Sequence, residues 1–403
     1  KFRVRKFMKL FKSLLIAPAT LGLLAPMSAT ANELNLAEVS GYSSSEDVQD
    51  ISEFYPKELA VTNSRVDGLE ARLNEFEAGS FSETTTASFS ADFYLGAVDG
   101  GTPDTNDPFM ATYGFQIDLN TSFTGEDSLD ISLDAGNTTS STSGTLEFDG
   151  NQTADALTVD GVSYTFPVLG ATVFVADNGD ASALFTTACT YGGPTNTLDD
   201  CGNVNAAPTG GAVAAGASYD FGNGFTTALG FQTNTEAATG IATDESTDAI
   251  TLNGAYIGSN YGLSVSYATI EDGATDEKED TYIAFNGYYT PDLEYFPSIS
   301  VGYEIGDDAS GNTTNPSVSK EDSDEITSFF IGLQWDEAGP GSLGVAAGHS
   351  STPENVDEDY MFEVYYSYPV NDGMTITPVV YTKTGPSYEN SESAFLVKTA
   401  FSF

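Results

Sequence analysis

The stretch Ser393-Ala-Phe-Leu-Val-Lys-Thr-Ala-Phe-Ser-Phe403 decides the fold of this chain. Every second residue from Phe395 to Phe403 is apolar or threonine, whereas the positions between them are mixed. Because successive side chains of a strand point to opposite faces, the stretch predicts a strand with one apolar face and an aromatic end. A transmembrane β-barrel needs such a closing strand, and the last strand of a soluble β-sandwich is the alternative.

The amino-terminal residues have the three parts of a secretory signal peptide. Six cations lie in the first twelve residues, an apolar run follows from Ser13 to Pro26, and Ala29-Thr30-Ala31 supplies small residues for cleavage. We therefore expect residues 1–31 to be a signal peptide and the mature chain to start near Asn32. An uncleaved membrane anchor is less favoured, because the apolar run is short and interrupted by proline and glycine.

The chain is strongly acidic, with 13 Lys and Arg against 59 Asp and Glu and a formal net charge of −46. This charge excludes nucleic acid as a partner on electrostatic grounds. The aromatic content and the regular alternation of residue types argue against disorder. Self-repulsion of this size is best tolerated where salt screens it, so the acidity indicates a saline habitat.

Two segments precede the strands. Residues 32–53 are polar and acidic without a hydrophobic period, which predicts a flexible linker. Residues 54–79 predict a periplasmic coiled-coil helix, because seam residues alternate spacings of three and four. A single amphipathic helix packed on its own domain is the alternative to self-association through this seam. The seam consists of Leu59, Thr62, Val66, Leu69, Leu73 and Phe76.

From about residue 85 onward the chain consists of alternating, strand-length segments whose connections alternate in length. Val370–Asp372 is short and Thr384–Glu392 is long, and the alternation continues back to the very long connection Asn178–Gly211. Tight turns at one end and long loops at the other are typical of outer-membrane barrels. A sandwich with Greek-key crossings has no reason to sort its connections in this way.

The number of strands on each side of the very long connection, odd or even, predicts the total. Eleven strands follow the very long connection, and an even barrel with both termini in the periplasm needs an odd number before it. The expected fold is an all-β, 16-stranded antiparallel transmembrane β-barrel over residues 85–403, preceded by the short coiled-coil helix. Eighteen strands are the alternative, if Thr145–Phe148 and its neighbours pair as an extra hairpin. The five preceding strands are predicted at Thr86–Val98, Phe109–Thr124, Ser128–Asn137, Leu157–Val168 and Ala171–Asp177.

Three segments carry a resemblance to a known family. They are Lys57-Glu-Leu-Ala-Val-Thr-Asn-Ser-Arg-Val-Asp-Gly-Leu-Glu-Ala-Arg-Leu-Asn-Glu-Phe-Glu77, Val162-Ser-Tyr-Thr-Phe-Pro-Val168 and Phe362-Glu-Val-Tyr-Tyr-Ser-Tyr-Pro-Val-Asn-Asp-Gly-Met-Thr-Ile-Thr-Pro-Val379. The chain resembles cyanobacterial outer-membrane porins of the carbohydrate-selective porin (OprB) superfamily. The resemblance implies a homotrimer of sixteen-strand channels in the outer membrane, each with a third loop folded inward to narrow the pore.

One part of that family's pattern is not expected here. Family members typically carry an S-layer-homology domain before the coil. In this sequence the linker leads almost directly into Phe54-Tyr55-Pro56. We therefore expect this domain, and with it cell-wall tethering, to be lacking.

The sequence contains few other residues that could form a disulfide, bind a metal or carry out catalysis. Cys189 and Cys201 lie in the very long connection, where an oxidising compartment would let them close a disulfide. The bond would stiffen the loop by about 3 kcal/mol of chain entropy, and two free thiols are the alternative. His349 is the only histidine, and neither G-x-S-x-G nor a metal-ligand cluster of His and Cys occurs. We therefore expect no enzyme activity, no metal and no cofactor.

The expected function is passive diffusion of small hydrophilic solutes and ions, including sugars, across the outer membrane. If the apolar faces of the strands contact lipid, the opposite faces line the pore, and acidic residues dominate them. A cleft of one charge sign concentrates counter-ions, so we expect a preference for cations, with Lys383 as a second candidate cation beside Lys398. A structural or adhesive barrel plugged by its own loop is the alternative. The expected pore-lining and constriction residues are Asp92, Asp118, Asp130, Asp134, Asp177, Asp180, Asp199, Asp200, Glu304, Glu363 and Lys398.

Overall fold

The structure of the protein is a computed structural model. The predicted signal peptide, linker and coiled-coil helix, with the seam from Leu59 to Phe76, lie outside the described residues. Within the described part of the chain, no helix is both long enough and apolar enough to cross a membrane. The described residues are 84–100, 109–138, 146–148, 150–209, 212–234, 241, 243, 246–271, 279–293, 295–307, 325–353, 358–384 and 391–403.

The described residues form sixteen antiparallel strands in one closed barrel. Each strand pairs with its neighbours in the chain, and β1 also pairs with β16 to close the barrel. The strands are β1 (Thr85–Gly100), β2 (Met110–Thr121), β3 (Ser128–Gly136), β4 (Thr158–Val168), β5 (Ala171–Gly179), β6 (Ala212–Gly222), β7 (Phe225–Asn234), β8 (Thr247–Ile257), β9 (Tyr261–Glu271), β10 (Glu279–Tyr289), β11 (Ser298–Asp307), β12 (Glu325–Ala338), β13 (Gly341–Pro353), β14 (Met361–Asn371), β15 (Met374–Lys383) and β16 (Glu392–Ser402).

The prediction of a 16-stranded antiparallel barrel is confirmed, with five strands before the very long connection. The alternative of eighteen strands is wrong. Residues 146–148 belong to no strand, and Leu146 and Phe148 are completely buried inside the barrel. The two apolar side chains pack on the inner wall, so this segment is not available to extend the sheet.

Short turns join the strands at one end of the barrel. The turn between β6 and β7 is Asn223-Gly224, with φ angles of 54° and 86°. Both values belong to the type I′ turn, which matches the twist of a hairpin and favours Asn-Gly. The chemistry of this dipeptide therefore explains why the strands reverse here without a loop.

The strands turn apolar side chains outward and small or polar ones inward. In β9 the side chains of Tyr261, Leu263, Val265 and Tyr267 are exposed on the outside, whereas the alternate residues from Gly262 to Ala268 are buried. Because an outer band of apolar side chains is stable only against lipid or another apolar surface, this face is suited to a membrane. The lumen is the opposite, inner face.

Candidate functional site

The long loop, which comprises residues 180–209 between β5 and β6, lies inside the barrel against the inner wall from β7 to β14. Its outgoing leg, residues 180–191, donates the backbone amides of Thr186, Ala188 and Thr190 at 2.8–3.0 Å. These hydrogen bonds replace the water that the amides would otherwise need in a buried position. The acceptors are polar side chains of β8, β9 and β11, namely Asn253, Ser264 and Ser300.

The return leg of the long loop, residues 198–209, is anchored on Glu304 in β11. The carboxylate of Glu304 accepts the backbone amides of Asn205 and Ala206, each at 2.8 Å, and the side-chain amide of Asn205 at 2.7 Å. Nearer the start of this leg, the side-chain amide of Asn286 in β10 donates to the carbonyl of Cys201 at 2.9 Å. Charge-assisted hydrogen bonds of this kind are stronger than neutral ones, so Glu304 holds the leg in one place.

Small inward residues make room for the loop. A Cβ added at Gly230 would overlap the carbonyl oxygen of Ala181, and one added at Gly302 would overlap that of Cys201. The backbone of the loop therefore lies directly on the backbone of the wall at these two points. A wall of larger side chains would hold the loop away from the strands.

A disulfide bond between Cys189 and Cys201 joins the two legs, with their Cα atoms 6.5 Å apart. Cys189 precedes the point where the outgoing leg reaches β14, and Cys201 begins the part of the return leg that contacts β10 and β11. The bond limits how far the legs can separate, since it closes a short loop.

Residues 146–148 of the β3–β4 connection also lie in the lumen. Phe148 stacks on Tyr94 of β1 with ring centroids 4.1 Å apart, and Leu146 is completely buried. Glu147 forms an ion pair of 2.7 Å with Lys383 at the end of β15. This second inward segment therefore covers the wall of β1, β15 and β16, which the long loop leaves free.

The two inward segments share an apolar cluster inside the barrel. Tyr191 of the long loop contacts the rings of Phe330 and Tyr365, at centroid distances of 5.3 and 5.7 Å. Burial of these apolar side chains stabilises both segments in their position against the wall. The buried members of the cluster are Tyr94, Val98, Leu146, Phe148, Tyr191, Leu198, Cys201, Phe330, Ala346, Met361, Tyr365, Val379, Tyr381, Ala394 and Leu396.

The inner wall of β2, β3 and β4 is polar and partly exposed. Asp118 accepts hydrogen bonds from Gln116 at 2.6 Å and Ser132 at 2.7 Å. Asp130 lies two residues before Ser132 on the same face of β3, and it pairs with Ser163 in β4. These acids have neutral hydrogen-bond donors as neighbours, so their negative charge is not cancelled where the lumen is open.

Lys383 and Lys398 are the only cations among the residues that the structure describes, and both are paired with acids. Nζ of Lys398 lies 2.6 Å from Asp92 and 5.5 Å from the centre of the Tyr94 ring. The expected inward position of Asp92, Lys398 and Lys383 is what the structure shows. Because each lysine neutralises one carboxylate, the remaining lumen acids determine the sign of the local field.

Several expected pore residues are covered rather than exposed to water. Glu304 and Glu363 face inward, but the long loop lies over them, and Asp180 is buried within that loop. Asp134 is also buried and accepts a hydrogen bond of 2.7 Å from Thr158. The expectation that these four acids line the aqueous path is corrected, since docking of the inward segments removes them from it.

Asp177 requires a different correction. It shares a face of β5 with Val175, whereas Phe174 and Ala176 point inward toward the long loop. The period of two therefore turns Asp177 away from the lumen, where it is exposed. The expectation that it lies at the base of the constriction is wrong.

Asp199 and Asp200 lie in the return leg of the long loop and are half-buried. One oxygen of Asp200 accepts the amide of Gly202 at 2.8 Å, and the other is enclosed without a hydrogen-bond donor. Burial raises the pKa of Asp200 to about 7, and the nearby Glu304 carboxylate adds to the rise. Asp200 therefore carries a proton more readily than an exposed aspartate does.

Sequence reasoning missed the β3–β4 connection as a functional segment. Leu146-Glu147-Phe148 is a short apolar motif around one acid, within a connection otherwise rich in Ser, Thr and Gly. Two apolar residues in a polar loop were the available signal for an inward-folded segment. Their spacing also fits a short strand, which is why the sequence suggested an extra hairpin.

The fold and the inward loops define a porin-like barrel, and comparisons with solved structures agree. The chain is similar in fold to Pseudomonas putida OprB, with a TM-score of 0.57 and 10% identity over 79% of this chain and 94% of that one. It is also similar to a loop-deletion form of OmpT, an outer membrane protein of Vibrio cholerae, with a TM-score of 0.53 and 11% identity over 80% of this chain and 100% of that one.

At the level of sequence, no protein-family model matches the chain. An uncharacterized protein of Nostoc sp. is 27% identical over an alignment that covers 88% of this chain and 72% of that protein. The expected resemblance to porins is therefore confirmed as a likeness of fold.

Proposed function

We propose that the protein is an outer-membrane porin, a passive diffusion channel for small hydrophilic solutes and ions. The observation that carries this proposal is the polar, partly exposed inner wall of β2 to β4, opposite the wall that the long loop covers. A closed sixteen-strand barrel is wide enough for a water-filled lumen, and the inward segments narrow it without replacing this wall.

We also propose that the channel prefers cations. Asp118 and Asp130 lie on the open wall, and both described lysines are occupied by their own ion pairs. Low-dielectric walls of one charge sign raise the local concentration of counter-ions. The preference should be modest at high salt, where screening is efficient.

Conductance of the purified protein in a planar bilayer tests both parts of the proposal. We expect stable ion-conducting steps and, under a tenfold KCl gradient, a reversal potential whose sign shows that K⁺ carries most of the current. Absence of conductance contradicts the channel, whereas conductance carried mainly by Cl⁻ contradicts only the cation preference. Swelling of proteoliposomes in sugar solutions tests passage of neutral solutes.

The membrane location, the superfamily and the oligomeric state of the channel are part of the same proposal. An outer-membrane location is supported by the porin-like fold and the outward apolar band, and membership of the carbohydrate-selective porin superfamily by the likeness to OprB. The predicted coiled coil supports a homotrimer. Detergent-extracted protein should then migrate as a heat-labile trimer, and a monomer at all protein concentrations would contradict this.

A structural or adhesive barrel is the second candidate. The observation that favours it is the apolar cluster inside the lumen, which fills part of the cross-section. A plugged barrel would fold and insert yet show no conductance steps, so the bilayer measurement separates the two. Enzyme activity is not part of the proposal, since His349 packs between Phe329 and Tyr360 rather than against lumen acids.

A further inference from the structure

Glu147 joins three parts of the lumen at one point. Its Oε1 lies 2.7 Å from Nζ of Lys383, and its Oε2 accepts a hydrogen bond of 2.7 Å from the hydroxyl of Thr197. Its backbone carbonyl accepts the amide of Asn196 at 3.1 Å. Because Asn196 and Thr197 lie at the tip between the two legs of the long loop, one residue of the β3–β4 connection contacts both this tip and the barrel wall.

The backbone of Glu147 has a conformation that side chains rarely adopt. Its φ is 50°, in the left-handed region, where the Cβ of a residue other than glycine crowds the following carbonyl oxygen. Such a conformation persists only where the surroundings determine it. Here the flanking Leu146 and Phe148 are both completely buried, and they hold the segment so that Glu147 reaches Lys383.

We propose that Glu147 is the positioning residue of the constriction. Through its contacts with Lys383 and Thr197, together called the latch, it holds the β3–β4 connection against the tip of the long loop. This inference rests on the proposed channel function. The long loop covers the wall from β7 to β14, and the β3–β4 connection covers β1, β15 and β16. They meet at Glu147, so the latch determines how much of the lumen stays open beside β2 to β4.

The local environment favours an ion pair between Glu147 and Lys383 that persists in salt. The side chains of Lys383 and Glu147 are only 27% and 9% exposed, and partly buried pairs are screened less than surface pairs. Nζ of Lys383 also lies 3.5 Å from the hydroxyl of Thr197. The three side chains thus form one network, and loss of any member leaves a buried polar partner unsatisfied.

Glu147→Gln tests the latch, because it removes the charge and keeps the size of the side chain. We expect the single-channel conductance to rise by up to about twofold as the tip moves away and the open cross-section grows. The backbone amide of Asn196 should lose hydrogen-exchange protection by about tenfold or more. The charge-swapped protein with Glu147→Lys and Lys383→Glu should recover both values, which loss of folding in general would not explain.

Asp155→Asn is the matched control. Asp155 lies in the same connection, but its carboxylate accepts the hydroxyl of Tyr113, which contacts the outward ring of Phe93. This variant should leave conductance and the exchange of Asn196 unchanged. Unchanged values in Glu147→Gln, or changes that the charge swap does not reverse, overturn the latch. If the wild-type protein does not conduct, the proposed function fails, and the exchange of Asn196 still decides whether Glu147 holds the tip.

Discussion

Phe89 and Phe403 exchange both of their backbone hydrogen bonds, at 2.9 and 3.0 Å, and their rings stack with centroids 5.7 Å apart. The last residue of the chain is thereby paired with the first strand. Because this pairing removes the free edges of the sheet, the barrel has no unpaired strand left to aggregate. The pairing of β1 with β16 continues from here to Gly100 and Glu392 at the opposite end of the two strands.

Phe403→Ala should weaken the pairing of β1 with β16. Removal of one ring from a stacked pair costs about 0.5–1.5 kcal/mol beyond its buried area, while the backbone hydrogen bonds remain. We expect a correspondingly lower free energy of unfolding, measured by denaturant unfolding in detergent micelles. Leu169→Ala is the control, since Leu169 is fully exposed in the turn between β4 and β5. Equal effects of the two changes would contradict a specific role of the Phe89–Phe403 pair.

Asp118→Asn combined with Asp130→Asn should reduce the cation preference. These carboxylates line the open wall, so their loss should bring the reversal potential in a KCl gradient closer to zero by roughly half. Asp177→Asn is the control: it removes one carboxylate charge, against two in the double variant, but from the outward face of β5, and it should have no effect on the reversal potential. If Asp177→Asn shifts the reversal potential as much per charge removed as the double variant does, the net charge of the protein rather than the lumen wall sets selectivity.

Gly302→Ala should displace the return leg of the long loop. The added Cβ would overlap the carbonyl oxygen of Cys201, and overpacking of this kind typically costs about 1–3 kcal/mol. We expect a lower free energy of unfolding together with altered single-channel conductance. Gly254→Ala is the control, because a Cβ there meets no atom within 4 Å. A tolerated Gly302→Ala would show that the loop does not lie directly on β11.

Docking of the long loop should depend on pH through Asp200. Its pKa rises from about 4 in a free loop to about 7 in the docked one, so docking is most stable below pH 4. That stability declines as the pH rises through 7, because ionisation then leaves a buried charge near Glu304. Hydrogen exchange of residues 198–209, corrected for intrinsic rates, should show more protection at pH 5 than at pH 8. Asp200→Asn should flatten this difference, and an unchanged profile would contradict the prediction.

Much of the fold could be predicted from residue order. The apolar alternation near Phe395 and the alternation of short and long connections predict the barrel, because period and turn chemistry are local properties. The Asn223-Gly224 turn is one such local signal, since its geometry depends on the dipeptide itself. The position of the long loop inside the barrel was expected only through resemblance to a family.

The sequence by itself therefore determined the strand number, the outward apolar face and the inward parity of Asp92, Asp118 and Asp130. Only the tertiary structure decided which inward acids meet water. Glu304 and Glu363 have the same strand parity as any pore residue, but loop residues distant in the chain cover them. Glu147 reaches Lys383 across 236 residues of sequence. Parity is set by each strand alone, whereas burial depends on contacts between remote segments, which no local pattern records.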